Sequence, residues 1–235
     1  MREKIKNEIK SWVMVIAIVM LIRATIVEGM MIPTGSMEKT ILIGDAILFN
    51  RFIYGVKIPY TTKTLIPGRM PKPGEIVAFK SPFENKNVVK RCIATQGDTI
   101  EIINRIVYVN HKMIPESYVQ HTDSLIYQGV EWNEAVQELW RKGDLYKYLD
   151  PRLARDNFGP VVIPEDCIFV MGDNREQSFD ARHWGPLHKK YLLGKPLVTY
   201  LSIDIGGPAQ NLLEVLRFWR WRGIRLDRIG HLILS

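Results

Sequence analysis

Apolar residues in this chain form one long run near the start, then short runs broken by turns. From Trp12 to Ile22 every residue is apolar, and Ala24, Ile26 and Val27 extend the run past Arg23. A bilayer crossing takes about 20 mostly apolar residues, about 17 at the short limit. Residues 11–27 meet that limit, because Arg23 near one end can reach the interface with its guanidinium. The pattern predicts a single transmembrane helix there, and no later segment is long and apolar enough to span. Beyond it, β-branched runs alternate with turns and predict strands at Ala46–Phe52, Glu75–Phe79, Asn87–Ala94, Thr99–Ile103, Arg105–Val109, Cys167–Met171 and Leu197–Ile203. Gly-Asp pairs at Gly44–Asp45, Gly97–Asp98, Gly143–Asp144 and Gly172–Asp173 read as loops between them, and Pro71-Lys72-Pro73-Gly74 as a turn before a strand. One stretch differs: Asn133–Lys142 sets Ala135, Val136, Leu139 and Trp140 at helical spacing.

These elements predict a mainly β protein: an anchor helix, then an antiparallel sheet or barrel-like domain with a smaller mixed α/β insertion. The expected division is a basic start (1–10), the anchor (11–27), a β domain (28–110 and 163–205), the insertion (111–162) and a basic aromatic tail (206–235). The competing reading of the first apolar run is a cleavable signal peptide. Against it, the chain contains no Ala-x-Ala, and the run ends in Arg23 and β-branched residues.

Composition narrows the function. With 46% hydrophobic and 24% charged residues the chain is ordinary globular material. Cys92 and Cys167 are too few for a disulfide framework or a four-thiolate zinc site, and five histidines show no HExxH spacing. No metal or other cofactor is expected. The net charge of +7 gathers at the ends. Arg2, Lys4, Lys6 and Lys10 face only Glu3 and Glu8, while Arg217, Arg220, Arg222, Arg225 and Arg228 face only Glu214 and Asp227. A nucleic-acid binder more often carries its basic stripe on the folded domain. Charge at the ends fits an anionic membrane surface, and the basic start places the N-terminus in the cytoplasm and the rest outside.

Three segments carry candidate chemistry: Ile32-Pro33-Thr34-Gly35-Ser36-Met37, Val88 to Ala94, and Gly172 to Arg182. In a strand, Lys90 shares a face with Val88 and Cys92, while Arg91 points the other way with Val89 and Ile93. Burial on an apolar face penalises the charged amine; lowering its pKa from about 10.4 to about 8 takes roughly 3 kcal/mol. A neutral amine of that kind can take a proton from a serine hydroxyl. Taken singly, Lys90 also fits a lysine snorkelling from a sheet edge, Gly35-Ser36 a plain turn, and Asp180 with Arg182 a structural ion pair.

Taken together and in order, these segments resemble the bacterial type I signal peptidases, membrane-bound serine proteases with a Ser–Lys dyad. The resemblance runs through the anchor, Ile32–Phe52, Val88–Ile114 and Ile163–Ile203, and is most specific over Gly172–Arg182 followed by Trp184-Gly185. It implies Ser36 as nucleophile and Lys90 as general base. It further implies that Ser178 orients the amine, that the Ser36 N–H and the Thr34 hydroxyl receive the oxyanion, and that Asp180 with Arg182 braces the site. Ile32, Met37, Ile41, Val88 and Val89 correspond to positions lining shallow pockets for small side chains. Departures tune this pattern. Thr34 replaces a commoner serine, Glu38-Lys39 an apolar residue and proline, Ala181 a serine, and His111 a frequent hairpin glycine. Lys39 is placed to repel the Lys90 ammonium.

The resemblance implies a single-pass enzyme of the plasma (inner) membrane, acting outside it on signal peptides of exported preproteins after Ala-x-Ala. The expected partners are those signal peptides and the lipid bilayer, with no nucleic acid and a monomeric chain. Nine residues beyond Val27 extend at most about 30 Å, which keeps Ser36 near the outer surface. The tail reads two ways, as an interfacial helix or as a segment folded back on the domain. Two rival functions remain. A self-cleaving repressor-type protease shares the dyad, but the chain lacks the Ala-Gly or Cys-Gly bond such proteins cut. A non-catalytic anchored β domain that binds exported chains has no need of Ser36, Lys90 and Ser178 together.

Overall fold

The computed structural model describes residues 5–15, 27–57, 64–84, 86–207 and 212–234. Among these, the strands in chain order are β1 (Val27–Met31), β2 (Asp45–Asn50), β3 (Gly55–Lys57), β4 (Thr64–Pro67), β5 (Ile76–Lys80), β6 (Asn87–Thr95) and β7 (Thr99–Ile103). There follow β8 (Ile106–Val109), β9 (Lys112–Met113), β10 (Phe158–Val162), β11 (Cys167–Met171), β12 (Leu187–His188), β13 (Leu192–Asp204) and β14 (Gly223–Ile224). The main sheet runs β1-β2-β13-β5-β6-β11-β12, with β14 added to β13; β10-β7-β8-β9 form a second sheet, and β3-β4 a third. All strand ladders are antiparallel. The expected mainly β, antiparallel architecture is therefore present.

Residues 5–15 are helical and exposed. No helix of the described residues is long and apolar enough to cross a membrane, and 16–26, most of the predicted crossing, lie outside the described residues. Val27, placed in the anchor by its hydropathy, instead opens β1 opposite Asn50, where the β ladder takes up its backbone.

Other boundaries move for local reasons. The strand predicted to begin at Arg105 begins at Ile106, because Asn104 (φ 48°) and Arg105 (φ 72°) form a left-handed two-residue turn. Asn110 (φ 51°) and His111 (φ 64°) make the next turn, so His111 fills its hairpin position without glycine. The strand predicted at Leu197–Ile203 extends back to Leu192.

The helix predicted at Asn133–Lys142 is found at Glu134–Arg141, with Asn133 capping it through the Val136 N–H at 3.1 Å. Its Trp140 is fully buried, and the indole N–H donates to the Ala181 carbonyl at 2.7 Å. The segment 111–162 thus contributes side chains to the larger core. β10, inside that range, pairs with β7, and Phe158 and Val161 pack in the same core as Val77, Cys92 and Phe169.

The tail folds back. β14 pairs with the end of β13, His231 O accepts from Thr199 N at 3.0 Å, and Arg228 pairs with the buried Asp45 at 2.5 Å. Leu213, Phe218, Trp219 and Leu226 still face outward.

Candidate active site

β6 carries Lys90 through the middle of the main sheet. Cys92 and Val170 are opposed, and Arg91 and Met171 are opposed at the end of the ladder, with Lys90 and Gly172 next along their chains. A β-bulge interrupts the pairing between Ala94–Phe169 and Cys92–Val170. The bulge corrects the expected alternation: Ile93 joins Cys92 in the larger core instead of sharing a face with Arg91.

Gly172 is where the site converges. A methyl group on its α-carbon would lie 2.4 Å from Ser178 Oγ, 2.5 Å from Ser36 O and 2.6 Å from Ser178 Cβ. Only the absence of a side chain lets the Ser36 loop and Ser178 close over Gly172, the residue that follows β11. Ser36, Lys90 and Ser178 are all buried.

The Lys90 amine has no hydrogen bond or ion pair with any described residue. Burial lowers its pKa from 10.5 to about 8; the negative charge of Asp180 works against this, Arg182 adds to it, and Asp173 opposes it. Lys39, expected to contribute, is exposed and is not among the charges acting on the amine. It adopts φ 79°, in the turn after Ser36.

Ser178 is held on two sides. Its hydroxyl donates to Asp180 Oδ2 at 2.6 Å and accepts from the Gly172 N–H at 3.1 Å. A hydroxyl has one donor and two acceptor lone pairs, so one acceptor remains for an amine. Asp180 and Arg182 form a buried two-point ion pair, with both Nε–Oδ1 and Nη2–Oδ2 at 2.9 Å. Burial by itself would raise the Asp180 pKa, but the charge and hydrogen bonds of Arg182 hold it well below the usual carboxylate range.

Of the predicted pocket residues, Ile32, Met37, Ile41 and Val89 pack in one cluster with Ile76 and Ala78. Val88 packs against the larger core, because it lies on the other face of β6. Thr34 is exposed, two residues before Ser36.

Sequence reasoning gave no role to Arg91, Asp173 or Asn174. Arg91 makes a buried two-point contact to Asp173 at 2.9 and 2.8 Å, and Asp173 Oδ2 accepts from the Thr40 hydroxyl at 2.6 Å. This ties the turn after Ser36 to β6. The Gly172-Asp173 pair reads locally as turn chemistry, and nothing along the chain announces partners 82 and 133 residues away.

Residues 5–201 match the family model described as "Signal peptidase, peptidase S26". "Signal peptidase I" of Buchnera aphidicola subsp. Schizaphis graminum is 30% identical over 253 residues, covering 92% of this chain and 78% of that one. "Signal peptidase I" of Pseudomonas aeruginosa is 35% identical over 191 residues, covering 79% and 65%. The Rickettsia bellii protein of the same name is 31% identical, covering 95% and 84%.

Proposed function

This chain belongs to the signal peptidase family, peptidase S26, and is a serine endopeptidase; we propose that it removes signal peptides from exported preproteins through a Ser36–Lys90 dyad. The observations that support this reading are the convergence of Ser36 and Ser178 on Gly172 and, on the neighbouring strand β6, a buried lysine whose pKa is lowered to about 8.

The neutral Lys90 amine takes the Ser36 proton as Oγ attacks the scissile carbonyl. The negative oxygen that develops is received by the Ser36 N–H and the Thr34 hydroxyl, a contribution of about 3 kcal/mol per donor. The tetrahedral species expels the amino group of the mature chain, which takes the proton back from Lys90. Water, deprotonated by the same amine, then releases the signal peptide from Ser36. Ser178 aims the amine with its free acceptor, while the Asp180–Arg182 pair holds Ser178 in place.

β1 lies at one edge of the main sheet and leads directly into Ile32–Ser36. A substrate strand added there lays alternate side chains toward the Ile32, Met37, Ile41 and Val89 cluster, which is closely packed and favours small residues two apart, as in Ala-x-Ala. The N-terminal run anchors the enzyme as a single pass in the plasma (inner) membrane, with the exposed apolar residues of the tail directed to the same lipid surface.

The test is cleavage of a preprotein by the full chain in detergent. The wild type is expected to cut after Ala-x-Ala, and Ser36→Ala and Lys90→Ala are expected to be inactive. Binding without cleavage by the wild type would overturn the proposal in favour of a non-catalytic domain; full activity of Lys90→Ala would remove the dyad.

A further inference from the structure

Beside Ser36 lies a buried amide that the mechanism above does not use. Asn174 is fully buried, and its backbone is fixed from the far side, where Gln120 N donates to Asp173 O at 2.8 Å and Arg175 N donates to Gln120 O at 3.2 Å. From this fixed position Asn174 grips both peptide groups that flank the Ser36 α-carbon. Its side-chain Nδ2 donates to Gly35 O at 3.3 Å, and its own backbone N–H donates to Ser36 O at 3.1 Å. Gly35 O also accepts from Glu38 N at 3.1 Å, and the Asn174 amide makes a longer contact to Glu38 Oε2 at 3.5 Å.

Elementary peptide geometry turns these bonds into a direction. A trans peptide is planar, so its N–H points opposite to its C=O. Drawing Gly35 O toward Asn174 therefore turns the Ser36 N–H away from Asn174, and that N–H donates to no described residue. Fixing the peptide on each side of Ser36 also fixes its φ and ψ, and with them the direction in which Cβ carries the hydroxyl.

The amide orientation is determined by its surroundings. Reversed, Asn174 Oδ1 would face the Gly35 carbonyl and the Glu38 carboxylate. As placed, Oδ1 is buried without a partner among the described residues, an arrangement that costs stability.

We propose that Asn174 is a positioning residue for the oxyanion site: it orients the Gly35–Ser36 peptide so that the Ser36 N–H faces the oxygen of the tetrahedral intermediate. This rests on the Ser36 reading above. An interaction of this kind acts only when charge develops, so it affects turnover without affecting ground-state binding.

The experiment compares wild type, Asn174→Ala and Asn174→Asp in full-length protein. Four quantities are measured: kcat and KM on a preprotein peptide, affinity for the corresponding peptide aldehyde, and affinity of the uncleaved peptide in a Ser36→Ala background. The aldehyde forms a tetrahedral adduct with Ser36 and so reports on the oxyanion site. Asn174→Ala is expected to lower kcat about 10- to 100-fold, leave KM within about twofold, and weaken the aldehyde by the same factor as kcat. Uncleaved-peptide affinity should not change. Asn174→Asp keeps the volume and the backbone N–H but loses the Nδ2 donor; it is expected to lose at least as much kcat, and it carries the test if the alanine variant fails to fold. Wild-type kcat in either variant, or equal weakening of aldehyde and uncleaved peptide, would overturn the inference. A wild-type protein that neither cleaves nor binds the aldehyde would instead overturn the Ser36 reading itself.

Discussion

Gly172→Ala is the smallest change that tests whether the candidate site is assembled over one bare α-carbon. The added methyl would meet Ser178 Oγ at 2.4 Å and Ser36 O at 2.5 Å, whereas ordinary contact begins at 3.4 Å. Both neighbours must therefore move by about 1 Å, and a displacement of that size at a reacting group costs about 100-fold in rate. Neither can retreat cheaply. Ser36 O is held by the Asn174 N–H and Ser178 Oγ by Asp180, both within buried structure. Overpacking of this kind costs about 1–3 kcal/mol of stability. The assay pairs peptide cleavage, read by mass spectrometry, with urea unfolding of the same protein. The expected result is a folded enzyme, weakened by that amount, whose kcat/KM falls about 100-fold. A folded Gly172→Ala protein within about threefold of wild-type activity would refute the reasoning.

Two further changes probe the supports. Asp180→Asn leaves Arg182 buried without its counter-charge and is expected to cost about 3–5 kcal/mol in denaturant unfolding. Because the Asp180 charge raises the Lys90 pKa, its loss should move the alkaline activity limb to lower pH; a shift to higher pH would contradict the electrostatics. In the wild type, the Asp180 pKa is lowered from 3.8, so the stability contributed by this pair is complete above that value and lost as the pH falls below it. Arg228→Ala removes the tail's bond to Asp45 and to Thr40 O, and is expected to cost about 3 kcal/mol. Unchanged stability would show that the Arg228 contacts to Asp45 and Thr40 do not hold the tail to the domain.

The sequence carried the alternating strand Thr99–Ile103 and the continuously apolar, fully buried strand Cys167–Met171, which fall where the pattern puts them. It failed where backbone geometry overrides side-chain type. Arg105 sits in a left-handed turn, Ile93 is displaced by a bulge, and Val27 is drawn into a ladder. Short paired segments such as Thr64–Pro67 and Lys112–Met113 have too few residues to show a period. At the site, the face of Lys90 and the sign of its pKa shift were readable from alternation and burial. The Arg91–Asp173–Thr40 tie and the grip of Asn174 on Ser36 were not, since each depends on chain segments brought together only by folding. Val88 and Val89, adjacent in β6, pack in different clusters because neighbouring strand residues point to opposite faces.

The dyad is tested most directly by the rate at which Ser36 is acylated by an activated peptide ester, followed from pH 6 to 10. With the Lys90 pKa near 8, about a tenth of the molecules hold the free amine at pH 7, against about one in three thousand for an ordinary lysine. The predicted result is a sigmoidal rise with its midpoint near 8 that disappears in Lys90→Ala. A rate that does not change with pH over that range, or the same rise in Lys90→Ala, would contradict the account.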